Sequence, residues 1–139
     1  MLGLLSRTQC QDVVSRARAV VVPSEWLETF GLVVVEAMAA GVVPIVPAHG
    51  SFPELLLDGV DGVLFPPHDH EALAAIFDRA ARHPDAFEAM GIRAFQAYKA
   101  RFDPEANIRQ LEAIYGFAMA HPAWIAAGDI AAGQVVSAD

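Results

Sequence analysis

Two acidic side chains eight residues apart, Glu28 and Glu36, bracket a Phe30-Gly31 pair and a run of helix-forming residues. A carboxylate accepts hydrogen bonds and donates none, so it suits vicinal hydroxyls and disfavours a phosphate. Gly31 lets the backbone come close to a ligand. A helix starting there would offer free N–H groups and a dipole that favour an anion such as phosphate. One backbone anion site flanked by two carboxylates fits a ligand with a phosphate core and a sugar at each end. A nucleotide-sugar is such a ligand. A structural reading stands beside this one. Glu28 would then be a helix N-cap or first-turn acid, and Glu36 a solvated helix residue.

The elements that must position these groups follow from patterning. Gln9 to Arg18 reads as a short polar helix with Val13, Val14 and Ala17 on one face. Ala19–Val22, Val42–Val46 and Gly62–Phe65 are short apolar runs bounded by proline or glycine. None alternates polar with apolar residues, as expected of strands covered on both faces in a parallel sheet. Val33-Val34-Val35 favours a strand by local propensity. Glu36 to Ala40 favours a helix, and Gly41 suits the C′ position. A helix over Phe30 to Gly41 gives the strand–helix–strand unit that parallel sheets need, so helix is the expectation. Beyond Pro67, Asp69 to Arg82 is amphipathic, with Leu73, Ile76 and Phe77 inward. Asp85 to Arg101 follows, with Phe87, Met90, Phe95 and Tyr98. Asp103-Pro104-Glu105 reads as an N-cap, a first-position proline and an acid. That third helix runs to about Ala120, with Ile108, Leu111, Ile114 and Tyr115 inward. The fold expected is α/β: a partial Rossmann-like parallel sheet followed by packed helices. Residues 1–120 form this partial domain, and 121–139 a poorly ordered Ala/Gly-rich tail.

Composition narrows the function. The 139 residues carry 9 Lys+Arg against 17 Asp+Glu, a net charge of −8, which argues against a nucleic-acid partner. Apolar residues make up 55% of the chain, which excludes disorder for most of it and hints at a surface awaiting a partner or further domain. A single cysteine, Cys10, excludes a disulfide framework and a multi-cysteine metal site. The start of the chain lacks a signal peptide's pattern. The most apolar stretch, Leu32 to Ala48, is interrupted by Glu36, Gly41, Pro44 and Pro47 and cannot span a bilayer. A cytoplasmic protein is the expectation.

At this point the residues resemble a family. The stretch from Pro23 to Pro44 is similar to the E-x7-E signature of family-4 (group 1) retaining glycosyltransferases: a Pro-Ser pair, then E-x-F-G, then E-A-M, then Gly and Pro. Gly50-Ser51-Phe52-Pro53-Glu54 is close to the family's G-G-x-P-E loop. Asp58 to Pro67 is similar to its D-G-x-N-G-x-L-x-x-P stretch, and Phe102 to Tyr115 to its closing helix. The likeness covers residues 3 to 118 in the family's order.

The resemblance implies a GT-B architecture, two Rossmann-like domains facing across a cleft, with this chain in the last part of the C-terminal, donor-binding domain. Carried over residue by residue, Glu36 would accept hydrogen bonds from the donor's ribose. Glu28 would contact hydroxyls of the transferred sugar and is the catalytic candidate. Backbone around Thr29, Phe30, Gly31 and Leu32 would hold sugar and diphosphate, with Gly50 and Ser51 beside the cleft. Ser51 replaces the family's second glycine, and Asp61 its common asparagine. The Arg and Lys with which family members neutralise the leaving diphosphate have no counterpart here. Arg7, Arg16 and Arg18 belong to a different element. The function implied is retaining transfer of a hexose-type sugar from a nucleoside diphosphate-sugar, without a cofactor or metal. The partners implied are the donor, a missing N-terminal acceptor domain and a peripheral membrane acceptor in the full enzyme. The alternative is a catalytically inactive remnant, or a pairing module that needs a separate N-terminal half. His68-Asp69-His70 invites a metal, but Asp69 equally suits an N-cap. His49 reads as a surface-loop histidine near the cleft, and Trp26 as a mouth or packing residue. Cys10 lacks a cation cluster that would make it reactive. Trp124 carries no interpretable signal.

Overall fold

The computed structural model describes residues 3–121. It divides the chain into a first unit ending at Phe102 and a second beginning at Asp103. The first unit contains α1 (Arg7–Ser15), β1 (Ala19–Val21), α2 (Leu32–Ala39), β2 (Val43–Pro47), α3 (Phe52–Leu55), β3 (Val63–Phe65), α4 (His70–Arg82) and α5 (Pro84–Arg101). The strands form one parallel sheet in the order β1-β2-β3, with Val21 opposite Ile45 and Ile45 opposite Val63.

Side chains alternate between the two faces of this sheet. Val43, Ile45, Val63 and Phe65 pack on one face with Ile76 and Ala80 of α4 and Phe87 and Met90 of α5. Val46 packs on the other face with Val34 and Met38 of α2, Phe52 and Leu55 of α3 and Ala94 of α5. The sheet is therefore covered on both sides, as the unbroken apolar runs predict. Every residue of β2 is buried, whereas β1 is only half-buried throughout. Among the described residues β1 has one strand neighbour, and an edge strand keeps part of its surface uncovered.

Two helices of the first unit, α1 and α4, start at side-chain caps. Ser6 caps α1 in a reciprocal box with Gln9, so this helix begins earlier than its apolar spacing suggests and ends before Arg18. Val14 and Ala17 are half-buried, while Val13 is exposed. Asp69 caps α4 through the Ala72 amide at 2.8 Å. Phe77 and Phe95, expected inward, are exposed, because Ile76, Ala80, Gly91 and Ala94 occupy the buried faces of α4 and α5. Arginines close other helix ends. Arg18 donates to the Ala80 carbonyl at 3.1 Å, and Arg101 to the Leu55 and Glu54 carbonyls at 2.8 and 2.7 Å.

The exposed turn before β3 is anchored by Asp61, which is 3% exposed. Its Oδ1 accepts from the Leu57 amide at 2.7 Å. Asp61→Ala would leave that amide unpaired and is expected to cost about 1–3 kcal/mol in urea unfolding. Asp61→Asn keeps an acceptor in place and is expected to cost less than half as much.

The second unit holds α6 (Pro104–Ala120). Asp103 caps it through Ala106 at 3.2 Å, with Pro104 in the first turn, as the sequence predicts. Ile108, Leu111, Ile114 and Tyr115, expected to face inward, are all exposed. Helical spacing places residues on a shared face without supplying something to cover it. The expectation for the tail concerns residues that, from 122 onward, lie outside the described ones.

Candidate functional site

The site lies at the carboxyl edge of the parallel sheet, where open α/β sheets bind ligands. Residues 22–31 lead from β1 into α2. Gly31 is the α2 N-cap and is left-handed, with φ 82°. A Cβ there would stand 3.1 Å from both Leu55 Cδ1 and Phe52 Cε1, so conformation and packing both favour glycine. The Gly31 carbonyl accepts from the Val34 amide at 2.9 Å, which starts the helix. No side chain caps this N-terminus. The first-turn amides of Leu32 and Val33 precede any intrahelical acceptor, leaving partial positive charge at this end.

A cavity of about 260 Å³ opens beside that end. Glu28, Thr29, Phe30, Gly31, Leu32 and Phe52 are among its lining residues. The structure thus brings five of the sequence-predicted residues, 28 to 32, into one hollow. Phe30 stands edge-on to Phe102, with ring centroids 6.4 Å apart. Glu36 does not line the cavity. It is exposed on α2, three and four residues after Val33 and Leu32, both of which do line it. That spacing puts Glu36 on the cavity's side of the helix, one turn further on.

Gly50 and Ser51 are not lining residues either. They support Glu28 from behind. The Ser51 amide donates to the Glu28 carbonyl at 3.1 Å. A Cβ on Gly50 would come within 3.0 Å of both Glu28 N and Glu28 O. The close backbone approach therefore falls on Gly50, and the serine at 51 leaves it intact. The Glu28 carboxylate accepts from Ser24 Oγ at 3.2 Å. None of the cavity-lining residues is cationic. Arg16 pairs with Asp12 on α1, and Arg18 is engaged at the end of α4, so neither is part of the hollow.

A second hollow of about 40 Å³ lies along the same sheet edge, with Glu25, His49, His68 and His70 on its walls. Asp69 is occupied as the α4 cap. Among the described residues no three His, Cys, Asp or Glu side chains converge as metal ligands. His49 is part-buried rather than a free surface histidine, and its Nε2 meets the Ser24 carbonyl at 3.0 Å. Trp26 is 83% exposed. Sequence reasoning gave no site role to Ser24, Val22 or Phe52. The position of Val22 at a strand's carboxyl end was the available signal for it. Phe52 directly follows the Gly50-Ser51 pair expected beside the cleft, and that adjacency was the signal for it.

Residues 1–97 match the family model described as glycosyl transferases group 1. The chain belongs to that family. A D-inositol 3-phosphate glycosyltransferase of Mycobacterium marinum is 35% identical over 130 residues, covering 93% of this chain and 26% of that protein. Sucrose-phosphate synthase from Thermosynechococcus elongatus superposes with a TM-score of 0.80 at 32% identity, over 86% of this chain and 30% of the other. Anabaena HepE, solved in complex with UDP-glucose, superposes with a TM-score of 0.72 at 26% identity, over 75% and 29%. The parallel sheet with helices on both faces is thus the arrangement of the GT-B glycosyltransferases. This group 1 chain spans 17% and 26% of the length of two of the curated relatives it matches. Among its described residues no helix is long and apolar enough to cross a membrane.

Proposed function

We propose that this chain supplies the donor-binding side of a glycosyltransferase that moves a hexose-type sugar from a nucleoside diphosphate-sugar with retention. The observation that carries this reading is the cavity at the uncapped start of α2, with Glu28 on its wall and Glu36 one turn along. The UDP-glucose held by the Anabaena neighbour supports it.

In this reading the amides of Leu32 and Val33 face the diphosphate. Glu28 takes hydroxyls of the transferred sugar, and Glu36 takes the ribose hydroxyls. Neither carboxylate is a covalent nucleophile. The acceptor attacks from the face that the diphosphate leaves, so the retained geometry comes from orientation. Charge forming on the leaving diphosphate is met here by backbone dipoles. The cations that complete this stabilisation, and the acceptor site, belong to other parts of the full protein. No metal takes part.

Titration of the full chain with uridine, guanosine and adenosine diphosphate-sugars tests the reading. Binding of the preferred donor is expected to shift the amide resonances of Gly31, Leu32 and Val33. Glu36→Ala removes a carboxylate–hydroxyl pair and is expected to weaken binding by about 1.5–3 kcal/mol, measured by calorimetry. Equal affinity in the two proteins would reject the ribose role. Resonance shifts confined to residues outside 28–36 would reject the site.

A further inference from the structure

We propose that Ser24 and His49 are positioning residues that hold the Glu28 carboxylate in place before the donor's sugar arrives. The inference rests on the donor-site reading above and adds to it two residues that do not line the cavity.

Glu28 lies in a loop, where a long side chain would ordinarily sample several rotamers. Here it is held at both ends. Its carbonyl accepts from the Ser51 amide at 3.1 Å, and Gly50 packs against its backbone. Its Oε1 accepts from Ser24 Oγ at 3.2 Å. The Trp26 carbonyl lies at the same distance from that hydroxyl, which has a single proton to give. A carboxylate oxygen draws the proton more strongly than an amide oxygen does. Oε2 is left for hydroxyls of a ligand.

Ser24 is in turn held by His49, whose Nε2 stands 3.0 Å from the Ser24 carbonyl. A carbonyl only accepts, so Nε2 must carry the proton. His49 Nδ1 is buried and has no partner. The other neutral tautomer would bury an unpaired N–H and set two lone pairs against each other at Ser24. The contact with Ser24 therefore favours the Nε2–H tautomer over the Nδ1–H one. The His49 ring also stands 6.1 Å from that of Phe52, which lines the cavity. Three consecutive residues, 49 to 51, thus grip the loop at Ser24 and at Glu28, and the serine hydroxyl completes the link to the carboxylate. A side chain ordered in advance loses less freedom on binding.

The test compares UDP-glucose with UDP on the full chain by calorimetry. Their affinity ratio isolates the sugar contact. Ser24→Ala and His49→Leu are each expected to lower this ratio by roughly 3- to 10-fold while UDP affinity stays within about twofold. A general loss of structure would weaken both ligands together. His49→Gln, which can still donate to the Ser24 carbonyl, is expected to restore most of the ratio. An unchanged ratio in Ser24→Ala and His49→Leu, with a lowered one in Glu28→Gln, would overturn the inference. An unchanged ratio in Glu28→Gln would instead mark the failure of the sugar role given to Glu28. Ligand-free NMR decides the positioning without any nucleotide. Side-chain couplings of Glu28 are expected to report one rotamer in the parent and averaging in Ser24→Ala, with His49 protonated at Nε2. Averaged couplings in the parent, or an Nε2 that carries no proton, would sink the proposal.

Discussion

Phe52→Ala is expected to remove about 3–5 kcal/mol of folding stability. The ring is wholly buried and packs with Val34 and Met38 of α2, Val46 of β2 and Leu55 of its own helix. It joins the α2 side of the sheet to the short helix α3, so no single neighbour can collapse into the space it leaves. The lost volume also borders the 260 Å³ cavity, which limits relaxation from that side. A domain with 5–15 kcal/mol in total can lose a third of it or more. Phe52→Leu keeps most of the volume and is expected to cost less than about 1.5 kcal/mol. Urea unfolding of both variants measures the difference. A loss below about 1 kcal/mol for the alanine variant would show that the ring is not packed as described. Function should follow stability here. Phe52 Cε1 borders the space that a Cβ on Gly31 would take, so the left-handed turn opening α2 loses its backing with the ring. Nucleotide affinity is expected to fall even under conditions where the variant stays folded.

The order of elements was legible because the apolar runs are short, unbroken and closed by proline or glycine. The helix at Leu32–Ala39 shows where local propensity loses. Three consecutive valines favour a strand, yet Val34, Ala37 and Met38 recur at helical spacing and are buried together. Left-handed glycines at 31 and 41 bound this helix, and the crossover between parallel strands needs it. The faces of α4, α5 and α6 were less legible. Phe77, Phe95 and the apolar residues of α6 have the spacing of an inward stripe and are exposed. Periodicity tells which residues share a face. It does not tell how wide the covering surface is.

The site was legible in its loop and less so in its depth. Residues 28 to 32 share the cavity because a chain leaving a strand and entering a helix has few ways to fold. Spacing puts Glu36 on the face of α2 that carries Leu32 and Val33, while its place one turn beyond the hollow depends on how that helix sits on the sheet. The resemblance puts the Gly50-Ser51 loop beside the cleft, and in the structure that loop also holds the Glu28 backbone. Contacts between residues 24, 28 and 49–51 join two loops across the sheet edge. Nothing in the local pattern of either loop reveals them.

Gly91→Ala is the second substitution expected to act strongly, and against its ordinary sign. In an exposed helix this change stabilises by about 1 kcal/mol, because glycine is a poor helix former. Gly91 lies in the middle of α5 and is buried. A Cβ there would stand 2.2 Å from the Gly41 carbonyl oxygen and 3.2 Å from its carbon. The obstacle is backbone, so it cannot rotate away as a side chain would. It is also held in place. Gly41 is left-handed at φ 69°, its amide donates to Met38 at 3.0 Å, and the Val42 amide donates to Ala37 at 3.0 Å. The α5 helix would have to retreat from the end of α2. That movement disturbs both faces of the sheet, because α5 sends Phe87 and Met90 to one core and Ala94 to the other. Overpacking of this kind costs about 1–3 kcal/mol, occasionally more, and the two-sided role of α5 puts the expected loss at about 3 kcal/mol. Gly116→Ala in α6 is the matched control. Nothing lies within 4 Å of its added Cβ, so a gain of up to about 1 kcal/mol in helix stability is expected. Chemical denaturation for the first and helical content on heating for the second give the two signs. A neutral or stabilising result at position 91 would mean that α5 does not press on the turn after α2, and that the two glycines are not what sets the spacing of this pair.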